Sequence, residues 1–143
     1  MILAKDFTDF VELLNKHEVD YMVAGGYALG FHGEPRTTGY MDIWIECMLS
    51  KAAKMVTVVI DFGMSLLGLQ EQDFLEPGIV TQTGYPSLWI DILNEIDAVK
   101  YKDAIKDKQY FKEGKLTIPF IGRNNFVKSK EAAGRKKDPE GCK

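Results

Sequence analysis

The chain has 143 residues, 45% of them hydrophobic, which is enough for one domain with its own core. Its net charge of −3 argues against a protein that coats nucleic acid with its whole surface, so a basic binding site has to be local. Two cysteines, Cys47 and Cys142, exclude a disulfide framework, and no apolar run reaches the roughly 18 residues of a membrane-spanning helix. Residues 1–9 contain acids and lack the apolar run of a signal peptide, so we expect a cytoplasmic protein without membrane contact.

In chain order, the first half alternates between helix and strand signals. Asp6 is a candidate N-cap for a first helix, because an apolar stripe at helical spacing follows it. A strand is predicted over residues 20–24, and the double glycine Gly25-Gly26 ends it. The next elements are a short helix (27–31), a strand (41–47) and a helix that Ser50 caps and Gly63 stops (about 51–62).

The second half predicts two hairpins and a terminal helix. The elements are strands over 79–83 and 88–93 around a turn at 84–87, a helix near 98–105, a hairpin of 109–111 with 115–120, and a helix over 126–133 ended by Gly134. Residues 66–75 match neither pattern, and their structure stays open. We therefore predict one α/β (α+β) domain over residues 1–134 and a basic, frayed tail over residues 135–143.

The double glycine stands where a phosphate group can be bound. Gly25 and Gly26 follow an apolar strand and precede a short helix. Glycine lets backbone N–H groups approach an anion, and a helix N-terminus adds positive potential. Taken alone, such a pair is more often a simple turn, and Arg36 in the next loop would usually be a surface residue. The spacing of the glycines, Arg36-Thr37 and the acids that follow is what favours a phosphate site.

Two acids interrupt apolar strands. Side chains alternate along a strand, so Tyr40, Asp42, Trp44 and Glu46 share one side of the second strand. Asp91 lies in a second apolar segment, where an unpaired carboxylate is costly. Singly, each acid would more often be solvated or paired with a base. Together they predict one site on adjacent strands, where two carboxylates hold a divalent cation.

The stretch from Gly25 to Ile45 resembles the nucleotidyltransferases of the DNA polymerase beta superfamily, in particular small bacterial proteins with a GG-x-A…R-x-T-x-D-x-D motif. The likeness continues through the strand of Asp91 to a K-x-K-x-A-x-G-R-x-K-D segment at residues 128–138, so it covers nearly the whole chain. The resemblance implies the nucleotidyltransferase fold, a mixed β-sheet with flanking helices. It also implies Mg²⁺ or Mn²⁺ at Asp42 and Asp91, and a nucleoside triphosphate at a set of five residues: Gly25, Gly26, Tyr27, Arg36 and Thr37.

One departure from the family motif affects the chemistry. Tyr40 stands where the family has its first metal-binding Asp. A phenol with a pKa near ~10 is neutral at pH 7 and cannot replace that carboxylate. Glu46 faces the same side but lies too far along the strand to substitute. A second departure is Trp89, which stands near Asp91 where the family usually has an Arg.

Basic residues gather near the C-terminus of an otherwise acidic chain: Lys128, Lys130, Arg135, Lys136 and Lys137. One interpretation is a solvated helix end, where cations complement the helix dipole. The other is a wall for nucleotide phosphates or an RNA backbone. The resemblance implies that Lys128 or Lys130 points into the active cleft, where a cation stabilises phosphate charge.

Two aromatic side chains leave alternatives open. His32 follows the short helix close to the expected phosphate site and is a candidate substrate contact, although a structural role is the more common one. Trp44 faces the side of Asp42, so it either stacks on a base or packs under a helix.

Two functions follow from these features. The first is a nucleotidyltransferase that transfers a nucleoside monophosphate to a hydroxyl of an RNA such as tRNA, or of a partner protein, with Asp42, Asp91, Lys128 and Lys130 as catalytic residues. The resemblance extends to toxin-like proteins of abortive-infection and toxin–antitoxin systems. The second is a catalytically degenerate nucleotide- or RNA-binding module of the same fold, because Tyr40 removes a bridging ligand.

Overall fold

The structure is a computed structural model that describes residues 4–33, 40–63, 70–85 and 88–137. Its elements, in chain order, are α1 (Lys5–Lys16), β1 (Met22–Ala24), α2 (Gly25–Phe31), β2 (Tyr40–Trp44), α3 (Leu49–Asp61), a 3-10 helix (Glu71–Phe74), β3 (Val80–Tyr85), β4 (Leu88–Leu93), α4 (Tyr101–Ala104) with a 3-10 extension (Ile105–Asp107), β5 (Gln109–Glu113), β6 (Leu116–Phe120) and α5 (Arg123–Lys137). Among these described elements, no helix is both long and apolar enough to cross a membrane.

The six strands form one mixed sheet in the order β3-β4-β2-β1-β6-β5. The β2–β4 and β1–β6 pairs are parallel, whereas β1–β2, β3–β4 and β5–β6 are antiparallel. The β3–β4 and β5–β6 hairpins are the two that the sequence predicts, although β3 extends to Tyr85, into the predicted turn at 84–87. Parallel neighbours need a long crossover, and the chain between β2 and β4 provides it with α3 and the first 3-10 helix. The mixed α/β architecture with flanking helices is confirmed.

The side chains of β2 show the alternation expected of a strand with one apolar and one polar side. Met41 and Ile43 are fully buried, Asp42 is half-buried and Tyr40 is exposed. Trp44 breaks the polar side, because it is buried against Tyr101 of α4 with ring centroids 5.1 Å apart. The polar side of β2 is therefore covered at its C-terminal end and open near Asp42.

One hydrophobic core connects the sheet to the helices. The stripe predicted for α1 is buried, and Phe10 of that stripe meets Phe62 at the end of α3 edge-on, with ring centroids 5.0 Å apart. Two polar contacts join the same helices to their surroundings. His17 Nε2 lies 2.6 Å from Asp61 Oδ2, and Lys51 forms an ion pair with Asp20, with Nζ 2.6 Å from Oδ2. These contacts hold α1, α3 and the start of β1 together.

Both predicted N-caps are wrong. α1 begins after Ala4, not after Asp6, and α3 begins after Met48, not after Ser50. Neither capping residue makes a side-chain hydrogen bond to its helix. Asp6 lies instead in the first turn of α1, where its charge opposes the positive end of the helix dipole.

Several predicted bounds also shift. α2 starts at Gly25 itself, β1 and β2 are shorter than their apolar runs, and the helix near 98–105 is reduced to Tyr101–Ala104 with its 3-10 extension. Gly63 ends α3 as expected, with a left-handed φ of 97°. Gly134 does not end α5, which continues to Lys137, so part of the predicted tail is helical. The division into a domain over 1–134 and a tail stays a prediction.

Candidate functional site

Asp42 and Asp91 face each other across two neighbouring strands. They are register partners in the parallel β2–β4 ladder, next to the centre of the sheet. Partners in a parallel ladder lie on the same side of the sheet, about 5 Å apart. The strand order thus brings together two acids that stand far apart in the chain, as the sequence predicts from each acid interrupting an apolar run.

The pair makes Asp42 a perturbed carboxyl group. Burial, and after it the negative charge of Asp91, raise the pKa of Asp42 from 3.8 to about 6, although the positive charge of Lys130 offsets part of the rise. When two carboxyl groups lie this close, the negative charge of one makes it less favourable for the other to ionise. A bound cation relieves that repulsion, so the electrostatics of the pair favour a positively charged ligand.

The start of α2 lies directly against Asp42. Gly25 has a left-handed φ of 64°, and a Cβ at this position would collide with Asp42 Oδ2. Only glycine satisfies both conditions, because it tolerates this φ and leaves room for the carboxylate. Glycine at position 25 is therefore required by the close approach of α2 to Asp42.

A cavity of about 250 Å³ opens beside Asp42. Its walls include Gly25 from α2, Asp42 from β2, Ser129 and Lys130 from α5, and Glu95 from the loop after β4. Lys130 follows the buried Phe126 by one helical turn, so both lie on the face of α5 that meets the cavity. Lys128 is exposed and is not among the lining residues.

Asp91 accepts a hydrogen bond from the neighbouring strand β3. Gln82 Nε2 donates a hydrogen bond of 2.9 Å to Asp91 Oδ1, and the two residues are register partners in the β3–β4 hairpin. Sequence reasoning missed Gln82, because the predicted turn at 84–87 would have placed it opposite Trp89, whereas the observed register places it opposite Asp91. It also missed Glu95, whose signal is a polar loop directly after an apolar strand.

Other candidate residues have structural contacts or lie outside the described residues. His32 Nε2 is 2.8 Å from the carbonyl oxygen of Ile121, and Trp44 is too deeply buried to stack on a base. The ring of Tyr27 packs edge-on against Phe7, with centroids 5.3 Å apart. Arg36 and Thr37 lie outside the described residues, as do the side chains of Arg135–Lys137.

Asp42 and Asp91 are the two carboxylates that could together supply ligands to a divalent cation. The described residues contain no group of three or more His, Cys, Asp or Glu side chains that could hold a metal. Tyr40, at the position of the family's first metal-binding Asp, is 47% exposed on the same side of β2 as Asp42. Asp42 and Asp91 supply hard oxygen ligands of the kind that Mg²⁺ and Mn²⁺ prefer, and a neutral phenol adds none.

No protein-family model matches the sequence, and no curated protein matches it either. A structural comparison does find a relative of the same shape, described as a "putative nucleotidyltransferase" from Thermotoga maritima. The crystal structure of that protein superposes with a TM-score of 0.67 at 12% sequence identity, over 95% of this chain and 87% of the other. The chain has the nucleotidyltransferase fold.

Proposed function

We propose that this protein binds a nucleoside triphosphate together with one Mg²⁺ or Mn²⁺ ion and transfers the nucleoside monophosphate to a hydroxyl group of RNA or protein. The observation that carries the proposal is the placement of Asp42 and Asp91 as partners on adjacent parallel strands. The fold supports a nucleotide substrate, since the structural relative is described as a "putative nucleotidyltransferase".

The two acids have different roles in the proposal. Asp42 and Asp91 hold the cation, which when bound neutralises phosphate charge as the leaving group departs. Asp91 also orients the attacking hydroxyl and takes its proton as the new phosphorus–oxygen bond forms and pyrophosphate leaves. Gln82 supports this role, because its hydrogen bond holds the Asp91 carboxylate in one orientation.

Other residues near Asp42 are proposed to bind the phosphates. Backbone N–H groups at Gly25 and Gly26 and the ammonium group of Lys130 are proposed to hold the triphosphate in the cavity. Tyr27, Arg36 and Thr37 stay proposed contacts of the same nucleotide. Lys128 is exposed beside the cavity-facing side of α5, so its proposed part is limited to a partner that extends beyond the cavity, such as RNA.

Tyr40 favours a second candidate function. Because its side chain shares the open side of β2 with Asp42 and adds no carboxylate, the site lacks the ligand that would bridge two ions. The alternative is a nucleotide- or RNA-binding module of the same fold that catalyses no transfer.

Calorimetric titration with Mn²⁺, with and without a nonhydrolysable triphosphate, tests the proposal. We expect the native chain to bind one ion per chain. Asp42→Asn and Asp91→Asn should each weaken Mn²⁺ binding by at least about tenfold, because removing only a hydrogen-bond partner of a metal ligand already has an effect of that size. Transfer of a labelled nucleotide to bulk tRNA should be slow in the native chain and faster in Tyr40→Asp. Metal-independent triphosphate binding without any transfer would favour the binding module instead.

A further inference from the structure

A second, larger cavity, which we call the Glu46 cavity, lies next to the cavity beside Asp42. Its volume of about 540 Å³ is in the range of small-molecule sites, and it opens at the carboxyl ends of the parallel strands β2 and β4, where α/β sheets commonly bind ligands. Its walls include Trp44 of β2 and Glu46, which follows that strand. Glu95 and Ile96, in the loop after β4, line both cavities, so the two spaces share a wall.

Three polar groups in the wall of the Glu46 cavity lack a partner. Trp44 is 1% exposed, and its indole Nε1–H has no hydrogen-bond partner among the described residues. Within the same part of the chain, the carboxylates of Glu46 and Glu95 form no ion pair and no side-chain hydrogen bond. Because buried polar groups are nearly always paired, the cavity offers one donor and two negatively charged acceptors to a ligand.

The loop that forms the shared wall is held in one conformation. The side chain of Asn94 donates hydrogen bonds to the carbonyl oxygens of Phe74 (3.0 Å) and Glu76 (2.9 Å) and accepts one from the Gly78 N–H (3.0 Å). Ala98 has a left-handed φ of 64°, which is unfavourable for a residue with a Cβ and is found most often at binding sites. The wall is therefore formed before a ligand arrives, which lowers the entropic cost of binding.

We propose that the Glu46 cavity holds the base of the triphosphate and selects bases that carry an amino group. Carboxylates accept hydrogen bonds from the amino group of a base, and the indole N–H donates one to a ring nitrogen or carbonyl oxygen. This N–H lies on the edge of the indole ring, so the contact requires no stacking on the buried Trp44. Uracil has carbonyl oxygens and no amino group. The proposal rests on the proposed transferase function and narrows its donor to triphosphates of adenosine, cytidine or guanosine.

The distance between the two cavities suits a single nucleotide. Trp44 follows Asp42 by two positions on β2, so it lies on the same side of the sheet about 7 Å away. A ribose spans a similar length between its 5′ oxygen and its base. With the phosphates beside Asp42, the base therefore reaches the Glu46 cavity past the shared wall.

Calorimetry of nonhydrolysable triphosphates with Mn²⁺ on the full chain tests the proposal, and inorganic tripolyphosphate probes the phosphate site alone. We expect the adenosine, cytidine and guanosine analogues to bind about 10- to 100-fold more tightly than the uridine analogue, the range for hydrogen bonds to a charged group. In Glu46→Gln/Glu95→Gln the difference should fall to about twofold, because an amide pairs with uracil as well as with an amino base. Binding of tripolyphosphate should not weaken in this variant.

Two further measurements separate the base from the phosphates. Lys100→Ala/Lys102→Ala is the matched control, because both lysines are exposed in the wall of the same cavity and have no part in base selection. Its preference among the four nucleotides should equal that of the native chain. In Trp89→Phe, Trp44 is the remaining tryptophan, and its emission should change with the adenosine analogue but not with tripolyphosphate.

Equal affinity for all four nucleotides, or an unchanged preference in folded Glu46→Gln/Glu95→Gln, would overturn this proposal. The transferase proposal would then stand, as long as tripolyphosphate still binds with Mn²⁺. Weaker tripolyphosphate binding in Lys100→Ala/Lys102→Ala would assign the Glu46 cavity to phosphates and would also overturn it. Failure of every triphosphate to bind would contradict both proposals.

Discussion

At the scale of single residues, Asp42 shows how burial and a neighbouring charge act on one carboxyl group. Both raise its pKa, to about 6, and Lys130 offsets only part of the rise. The folded state therefore binds a proton more tightly than the unfolded chain, whose Asp42 titrates near 3.8. As the pH rises from about 4 to about 6, this difference lowers the free energy of unfolding.

Asp42→Asn should remove that loss of stability. In metal-free buffer at pH 7.5 we expect the variant to be more stable than the native chain by about 1–3 kcal/mol, and at pH 4 to be nearly equal to it. Urea unfolding at the two pH values measures the difference. Asp103→Asn, at an exposed position of α4, should show no such pH-dependent gain. A native chain that gains stability over Asp42→Asn as the pH rises would contradict the assignment.

The sequence predicts the acid pair but not the residues around it. Asp42 and Asp91 stand out locally, because a charged residue in an apolar strand needs a partner. Gln82 and Glu95 carry no such signal, since their place at the site depends on strand register and on the path of the loop after β4. The choice between Lys128 and Lys130 likewise depends on which face of α5 packs inward, and in the structure Phe126 is buried and Lys130 lines the cavity.

At the scale of elements, the start of α2 is the feature most tightly coupled to the site. The helix begins at Gly25, in a left-handed conformation and against the Asp42 carboxylate. Strand and helix types could be predicted from hydrophobic periodicity. Helix starts could not, because Ala4 and Met48 cap α1 and α3 without the side-chain hydrogen bonds that make N-caps recognisable in a sequence.

Gly25→Ala and Gly30→Ala form a matched pair within α2. Gly25→Ala should destabilise the protein by about 1–3 kcal/mol, from the unfavourable φ and the collision with Asp42, and should also weaken Mn²⁺ binding. Gly30 has no neighbour within 4 Å for an added Cβ, so Gly30→Ala should be neutral or stabilising by up to about 1 kcal/mol. Thermal unfolding and Mn²⁺ calorimetry test both, and equal effects of the two substitutions would refute the close-approach argument.

At the scale of the whole molecule, one cluster of buried side chains connects the helices to the sheet. It includes Phe7 of α1, Met55 of α3, Trp44 of the central β2 and Phe126 of α5. A single shared core makes separate unfolding of the two halves unfavourable.

We therefore expect one cooperative unfolding transition. Urea curves from tryptophan emission, to which the buried Trp44 contributes from the central strand, should coincide with curves from far-ultraviolet circular dichroism. Calorimetric and van't Hoff enthalpies should agree as well. Two separated transitions would mean that the cluster does not act as one core.

The parallel pairing of β2 with β4 has a kinetic consequence. Asp42 and Asp91 are about fifty positions apart in the chain, so they meet only when a long loop has closed. Their like charges then repel each other at the step that joins the two strands. An ion bridging the acids has no counterpart in the open chain, so its binding would act mainly by slowing unfolding and prolonging the lifetime of the folded state.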